Sequence, residues 1–102
     1  MWWGMARFTC DALAVTSELV TNAIKASWAH SCATVAVWLW ADDRQLLIEV
    51  WDSAPGVPSP VVAIPEGEGG RGLAVVAALS KSWGYYPDVR RGKTVWARLA
   101  EL

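Results

Sequence analysis

The spacing of apolar residues divides the chain into six short elements. Between residues 11 and 27 there is no Gly or Pro, and Ala12, Val15, Leu19 and Ala23 recur at intervals of three and four. That period predicts a helix with one face turned to a core, capped by Thr9 or Asp11. Residues 34–40 are dense in Val and Trp, which predicts a strand. The polar run Asp42-Asp43-Arg44-Gln45 predicts a turn, and residues 46–51 a second strand, so the pair reads as a hairpin. From Ser53 to Gly70, Pro55, Pro58, Pro60 and Pro65 interrupt any regular element, and Gly56, Gly67, Gly69 and Gly70 loosen it. A loop of that length in a compact domain is usually functional or mobile. Residues 72–82 predict a second, Ala-rich helix, 83–86 a short strand, 88–92 a charged turn and 93–99 a last strand. A helix before each of two hairpins predicts an α+β fold. Its form would be a two-layer sandwich, with helices on one face of a mixed, mainly antiparallel sheet.

Composition narrows the class. The 102 residues make one small domain, 1–102. A hydrophobic fraction of 54% with eight tryptophans excludes a disordered chain and points to apolar surface that meets a partner. The net charge of −1 gives no electrostatic case for nucleic acid or an anionic membrane. Cys10 and Cys32 are too few for a disulfide scaffold or a cysteine-based zinc site; they read as buried thiols in a reducing cytosol. No apolar run reaches transmembrane length, and Met1–Phe8 lacks the order of a signal peptide, so the expected location is cytoplasmic.

Three motifs compete for the chemistry. Gly67-Glu68-Gly69-Gly70-Arg71-Gly72 fits G-x-G-x-x-G, but the segment before it, 60–65, is bracketed by prolines instead of forming the strand of a βαβ unit. Gly92-Lys93-Thr94 resembles the end of a P-loop, yet the first glycine of that motif would fall on Pro87 and a strand-like alternation follows. The third candidate uses both helices. Glu18 and Asn22 are one turn apart, beside the apolar stripe of Val15, Leu19 and Ala23. Both offer oxygen ligands to Mg²⁺, and a carboxylate there can orient or deprotonate a hydroxyl. The same spacing also describes an ordinary solvated helix face. What tips the balance is Gly69-Gly70-Arg71-Gly72, which runs into the second helix. Glycines admit an anion close to backbone N–H groups, the helix start adds its dipole, and Arg71 adds a charge-assisted contact.

These residues resemble the GHKL, or Bergerat-fold, ATP-binding family. Ser17-Glu18-Leu19-Val20-Thr21-Asn22-Ala23-Ile24 is similar to its N box, Val50-Trp51-Asp52 to the start of its G1 box, and Gly69-Gly70-Arg71-Gly72-Leu73 to its G2 box. Lys93-Thr94-Val95-Trp96 resembles its final strand. Order and spacing agree over roughly residues 11–99, and the nearest subgroup is the anti-sigma-factor serine/threonine kinase type found as short actinobacterial regulators. The resemblance implies ATP and Mg²⁺ as cofactors. It implies Glu18 as the catalytic carboxylate, Asn22 as the Mg²⁺ ligand and Asp52 as acceptor of the adenine amino group. Gly56, Gly69 and Leu73 belong to the glycine boxes as nucleotide-binding residues, while Gly70, Arg71 and Gly72 would hold the phosphates. Thr94 would reach the adenine side through water.

The chain departs from that pattern in four places. Ala54 replaces the first glycine of the usual Asp-x-Gly-x-Gly, so the lid can sit differently. Ala26 stands where the subgroup often has His; Lys25, one residue earlier, reads either as a phosphate contact or as a solvated helix lysine. The strand and helix that usually precede the N box have only about ten residues here, so the fold is expected to be N-terminally shortened. Trp2, Trp3 and Phe8 would then cover apolar surface within the chain or in a homodimer. His30, just past the first helix, reads as a dipole-complementing surface residue, and a phosphoacceptor helix of a sensor kinase is missing.

Two functions follow. One is an ATP-dependent protein serine/threonine kinase acting on an anti-sigma-factor antagonist or sigma factor protein. The other is a catalytically degenerate regulator that holds its partner and uses ATP structurally or not at all. An ATPase of the gyrase, chaperone or mismatch-repair type needs transducer domains that 102 residues cannot hold.

Overall fold

The computed structural model describes residues 9–29, 34–54, 68–88 and 91–100, with side chains for all of these except 27–29 and 68–72. Six elements follow in order: α1 (Thr9–Ala29), β1 (Val35–Ala41), β2 (Gln45–Asp52), α2 (Glu68–Leu79), β3 (Ser82–Pro87) and β4 (Lys93–Ala100). The strands lie in the order β1-β2-β4-β3, and all three pairings are antiparallel. Two hairpins therefore meet along β2 and β4, and α2 lies in the connection between them.

Period-two alternation makes the sheet two-faced. Leu46, Ile48, Val50 and Asp52 are buried on β2, and their registered partners on β4 are Leu99, Ala97, Val95 and Lys93. Val15, Leu19 and Ala23 of α1 close over this face, and Leu73 and Val76 of α2 complete the core. The α+β expectation of two layers with helices on one face is met. Apolar burial supplies most of the stability, at about 25 cal/mol per Å².

Local chemistry explains the turns. Asp42 Oδ1 accepts the backbone N–H of Arg44 at 2.8 Å and of Gln45 at 3.0 Å, which closes the β1–β2 hairpin. Those hydrogen bonds, the backbone one from Arg44 first, hold the Asp42 carboxyl below its usual value of 3.8. At the other hairpin Asp88 N–H donates to Gly92 O at 3.0 Å, and Gly92 adopts φ 82°. A Cβ on Gly92 would run into the Asp52 carbonyl oxygen, so this turn is fitted against the end of β2.

Two expectations change. The second helix begins at Glu68, so Gly69, Gly70, Arg71 and Gly72 form its first turn and are not a loop leading into it. Cys10 is exposed, because it lies five residues before Val15 and so faces away from the core stripe of α1. Trp2, Trp3, Phe8, His30, Cys32, Gly56 and most of the 53–70 connection lie outside the described residues. Among the described residues no helix is long and apolar enough to cross a membrane.

Candidate functional site

Asp52 is the most unusual side chain of the fold. It ends β2 on the helix-covered face, in the place where alternation calls for an apolar residue, and is only 1% exposed. Burying a carboxylate is costly unless it is paired and hydrogen-bonded. Both partners reach the same oxygen: Ala54 N–H donates to Oδ1 at 2.9 Å, and Lys93 Nζ donates to it at 3.1 Å. The Lys93 side chain is itself 5% exposed, so the pair is a buried salt bridge. Ser53 and Ala54 are buried beside it.

The register decides which β4 residue faces this carboxylate. Asp52 pairs with Lys93, whereas Thr94 pairs with Trp51 on one side and Tyr86 on the other. Since neighbouring strand residues point to opposite faces, Thr94 lies on the face away from the helices. There its hydroxyl bonds to Tyr86, whose own hydroxyl donates to Glu49 Oε2 at 3.1 Å. Desolvation of that hydroxyl raises the Tyr86 pKa above 10.0; Thr94 opposes the shift and Glu49 reinforces it. Thr94, expected on the adenine side, thus points away from Asp52, and Lys93 is the β4 residue beside that carboxylate. A one-residue offset in strand phase accounts for the difference.

Glu18 and Asn22 lie on α1 and are both half-buried, as rim residues of an amphipathic helix should be. They flank the buried Val15 and Leu19. Lys25 is exposed on the same helix. Leu73 is 3% exposed within the core, so it anchors the start of α2 by packing. Gly69, Gly70, Arg71 and Gly72 are described only as helix backbone. The first-turn N–H groups of a helix have no partners within it, which makes them suitable donors to a phosphate. α1 and α2 pack against each other, which brings the helix carrying Glu18 and Asn22 to the helix that begins with the glycines.

Sequence reasoning missed Lys93 and Gly92 as parts of this site. Gly92-Lys93 was visible as the end of a failed P-loop, and Lys93 also as the start of the family's final strand, in which the role was given to Thr94. The signal lay in the hairpin: a turn glycine followed by a lysine at a position that alternation makes inward-facing.

A buried acceptor at a strand end, a carboxylate and carboxamide one turn apart on α1, and a glycine-rich helix start occur together in one family. The sequence model for histidine kinase-, DNA gyrase B- and HSP90-like ATPases matches residues 11–102. The chain belongs to this ATPase family. Its match covers both helices and all four strands from Asp11 onward. No curated protein and no solved structure matches the chain at a significant level.

The residues fit the nucleotide that this family binds. Asp52 offers a buried acceptor to an amino group, Asn22 a neutral oxygen to Mg²⁺, and the α2 start a set of backbone donors to phosphate. Among the described residues no group of three or more His, Cys, Asp or Glu is arranged to hold a metal. The carboxamide of Asn22 suits an ion that keeps most of its ligands from phosphate and water.

Proposed function

We propose that this protein is an ATP-binding regulator of the anti-sigma-factor kinase type, transferring the γ-phosphate of ATP to a serine or threonine of a partner protein. The observation that carries the reading is Asp52, a buried carboxylate at the end of β2 inside a chain matched to the ATPase family over 11–102. Its acceptor-only oxygens suit the amino group of adenine. Oδ1 is engaged by Ala54 and Lys93, so Oδ2 is the oxygen assigned to the base.

Glu18 accepts the proton of the attacking partner hydroxyl as its oxygen bonds to the γ-phosphorus and the bond to ADP breaks. Asn22 helps hold Mg²⁺, which neutralises charge on the phosphates when bound. The backbone N–H groups at the α2 start and Arg71 hold the phosphate oxygens. The protein substrate proposed is an anti-sigma-factor antagonist or sigma factor protein, in the cytoplasm.

Glu18→Ala tests the assignment. It should leave the ATP dissociation constant within a few-fold and lower phosphoryl transfer by about 10²–10⁴, the usual contribution of a positioned acid–base group. Equal transfer by wild type and variant would remove Glu18 from the chemistry.

A second reading has two observations in its favour. Asp52 is already satisfied by Lys93, and Ala54 occupies the place of a family glycine. A regulator that grips its partner and has lost the reaction would tolerate both. It predicts partner binding that is indifferent to ATP.

A further inference from the structure

The Asp52–Lys93 pair has a polarity that matches adenine and not guanine. Asp52 can only accept hydrogen bonds when ionised, and Lys93 can only donate. The hydrogen-bonding edge of adenine carries a donor, the 6-amino group, next to an acceptor, N1. Guanine carries the reverse, an O6 acceptor next to an N1–H donor. We propose that Lys93 is a specificity-determining residue that donates to N1 of the adenine whose amino group Asp52 accepts. The proposal rests on the ATP-binding reading and deepens it.

Three observations support this role. Lys93 is registered opposite Asp52 and its ammonium is 3.1 Å from Oδ1, so both groups lie at one point of the helix-covered face. Neither side chain is more than 5% exposed, although a buried ion pair is commonly no more stabilising than apolar residues of similar volume. Burial of the pair is therefore not accounted for by stability alone, and recognition is the role proposed for it. Finally, an ammonium has three donors, and Asp52 Oδ1 takes one. The fit of Gly92 against the Asp52 carbonyl, at a φ that disfavours other residues, fixes the start of β4 from which Lys93 projects.

With guanine the same pair would set a carboxylate against O6 and an ammonium against N1–H. Mismatched buried polar groups discriminate strongly because neither finds another partner.

The test uses calorimetry or fluorescence competition with ATP, GTP and 1-deaza-ATP, in which C–H replaces N1. Wild type should prefer ATP to 1-deaza-ATP by about tenfold or more, the usual value of a hydrogen bond to a charged group. In Lys93→Met that ratio should fall towards one, while Lys93→Arg should retain a preference. If wild type binds ATP and 1-deaza-ATP equally, or Lys93→Met keeps the wild-type ratio, the role of Lys93 is overturned and ATP binding stands. If wild type binds none of the three at millimolar concentration, both readings fall. Should Lys93→Met fail to fold, the wild-type ratio and Lys93→Arg decide the matter alone.

Discussion

At the scale of single residues, the structure turns on where charge is buried. Asp52 and Lys93 are members of one pair, and removing either leaves the other charged in an apolar setting. Lys93→Met should therefore destabilise the fold by up to about 3–5 kcal/mol, the cost of leaving a buried charge unpaired. Asp52→Asn, which keeps an oxygen that can accept from Lys93, should cost less but lose affinity for ATP; chemical denaturation and calorimetry read the two effects separately. Asp42 is the opposite case, a fully exposed carboxylate whose pKa is lowered by the turn it closes. Because its folded pKa lies below 3.8, its contribution to stability is complete above that value and is lost as pH falls through the lower one. Carbon-detected NMR should place its midpoint below 3.8, and a midpoint at or above 3.8 would refute the hairpin geometry. The identities of Glu18, Asn22 and Asp52 as site candidates were legible from their types and order. Lys93 was not, because its significance comes from a strand pairing between residues 41 positions apart.

At the scale of elements, each helix and strand was visible in the apolar spacing, and their ends were less so. α2 begins at Glu68 because three glycines in its first turn do not prevent helix formation where Leu73 and Val76 bury the next turn. Glycine content alone favoured a loop there. The β3–β4 turn illustrates the same limit: Gly92, at φ 82°, packs against the Asp52 corner, which lies far away in sequence. Gly92→Ala should lower stability by at least about 1–3 kcal/mol, since a Cβ meets backbone atoms and the φ is strained. An unchanged thermal midpoint would show that the turn is not fitted as described. β1 behaves differently. It is an edge strand with Trp38, Leu39 and Trp40 exposed at 46%, 61% and 56%. Leu39→Lys there should change stability by no more than about 0.5 kcal/mol, as surface substitutions do, and raise solubility by blunting an apolar edge. Unfolding curves and concentration-dependent light scattering check both parts.

At the scale of the whole molecule, the sheet serves as a frame that delivers Asp52 to one end of the helix-covered face, while α1, which carries Glu18 and Asn22, packs against α2, which begins with the glycines. The order of these parts along the chain was readable from sequence, and the family match over 11–102 agrees with it. The buried Asp52–Lys93 ion pair became visible only when β2 and β4 were paired. The central claim is that this assembly binds ATP, and isothermal titration calorimetry with and without Mg²⁺ tests it most directly. The account predicts one saturable site per chain, tightened by Mg²⁺ and weakened by Asp52→Asn, with ATP preferred to GTP. No heat of binding at millimolar ATP with Mg²⁺, from protein shown to be folded, would contradict it.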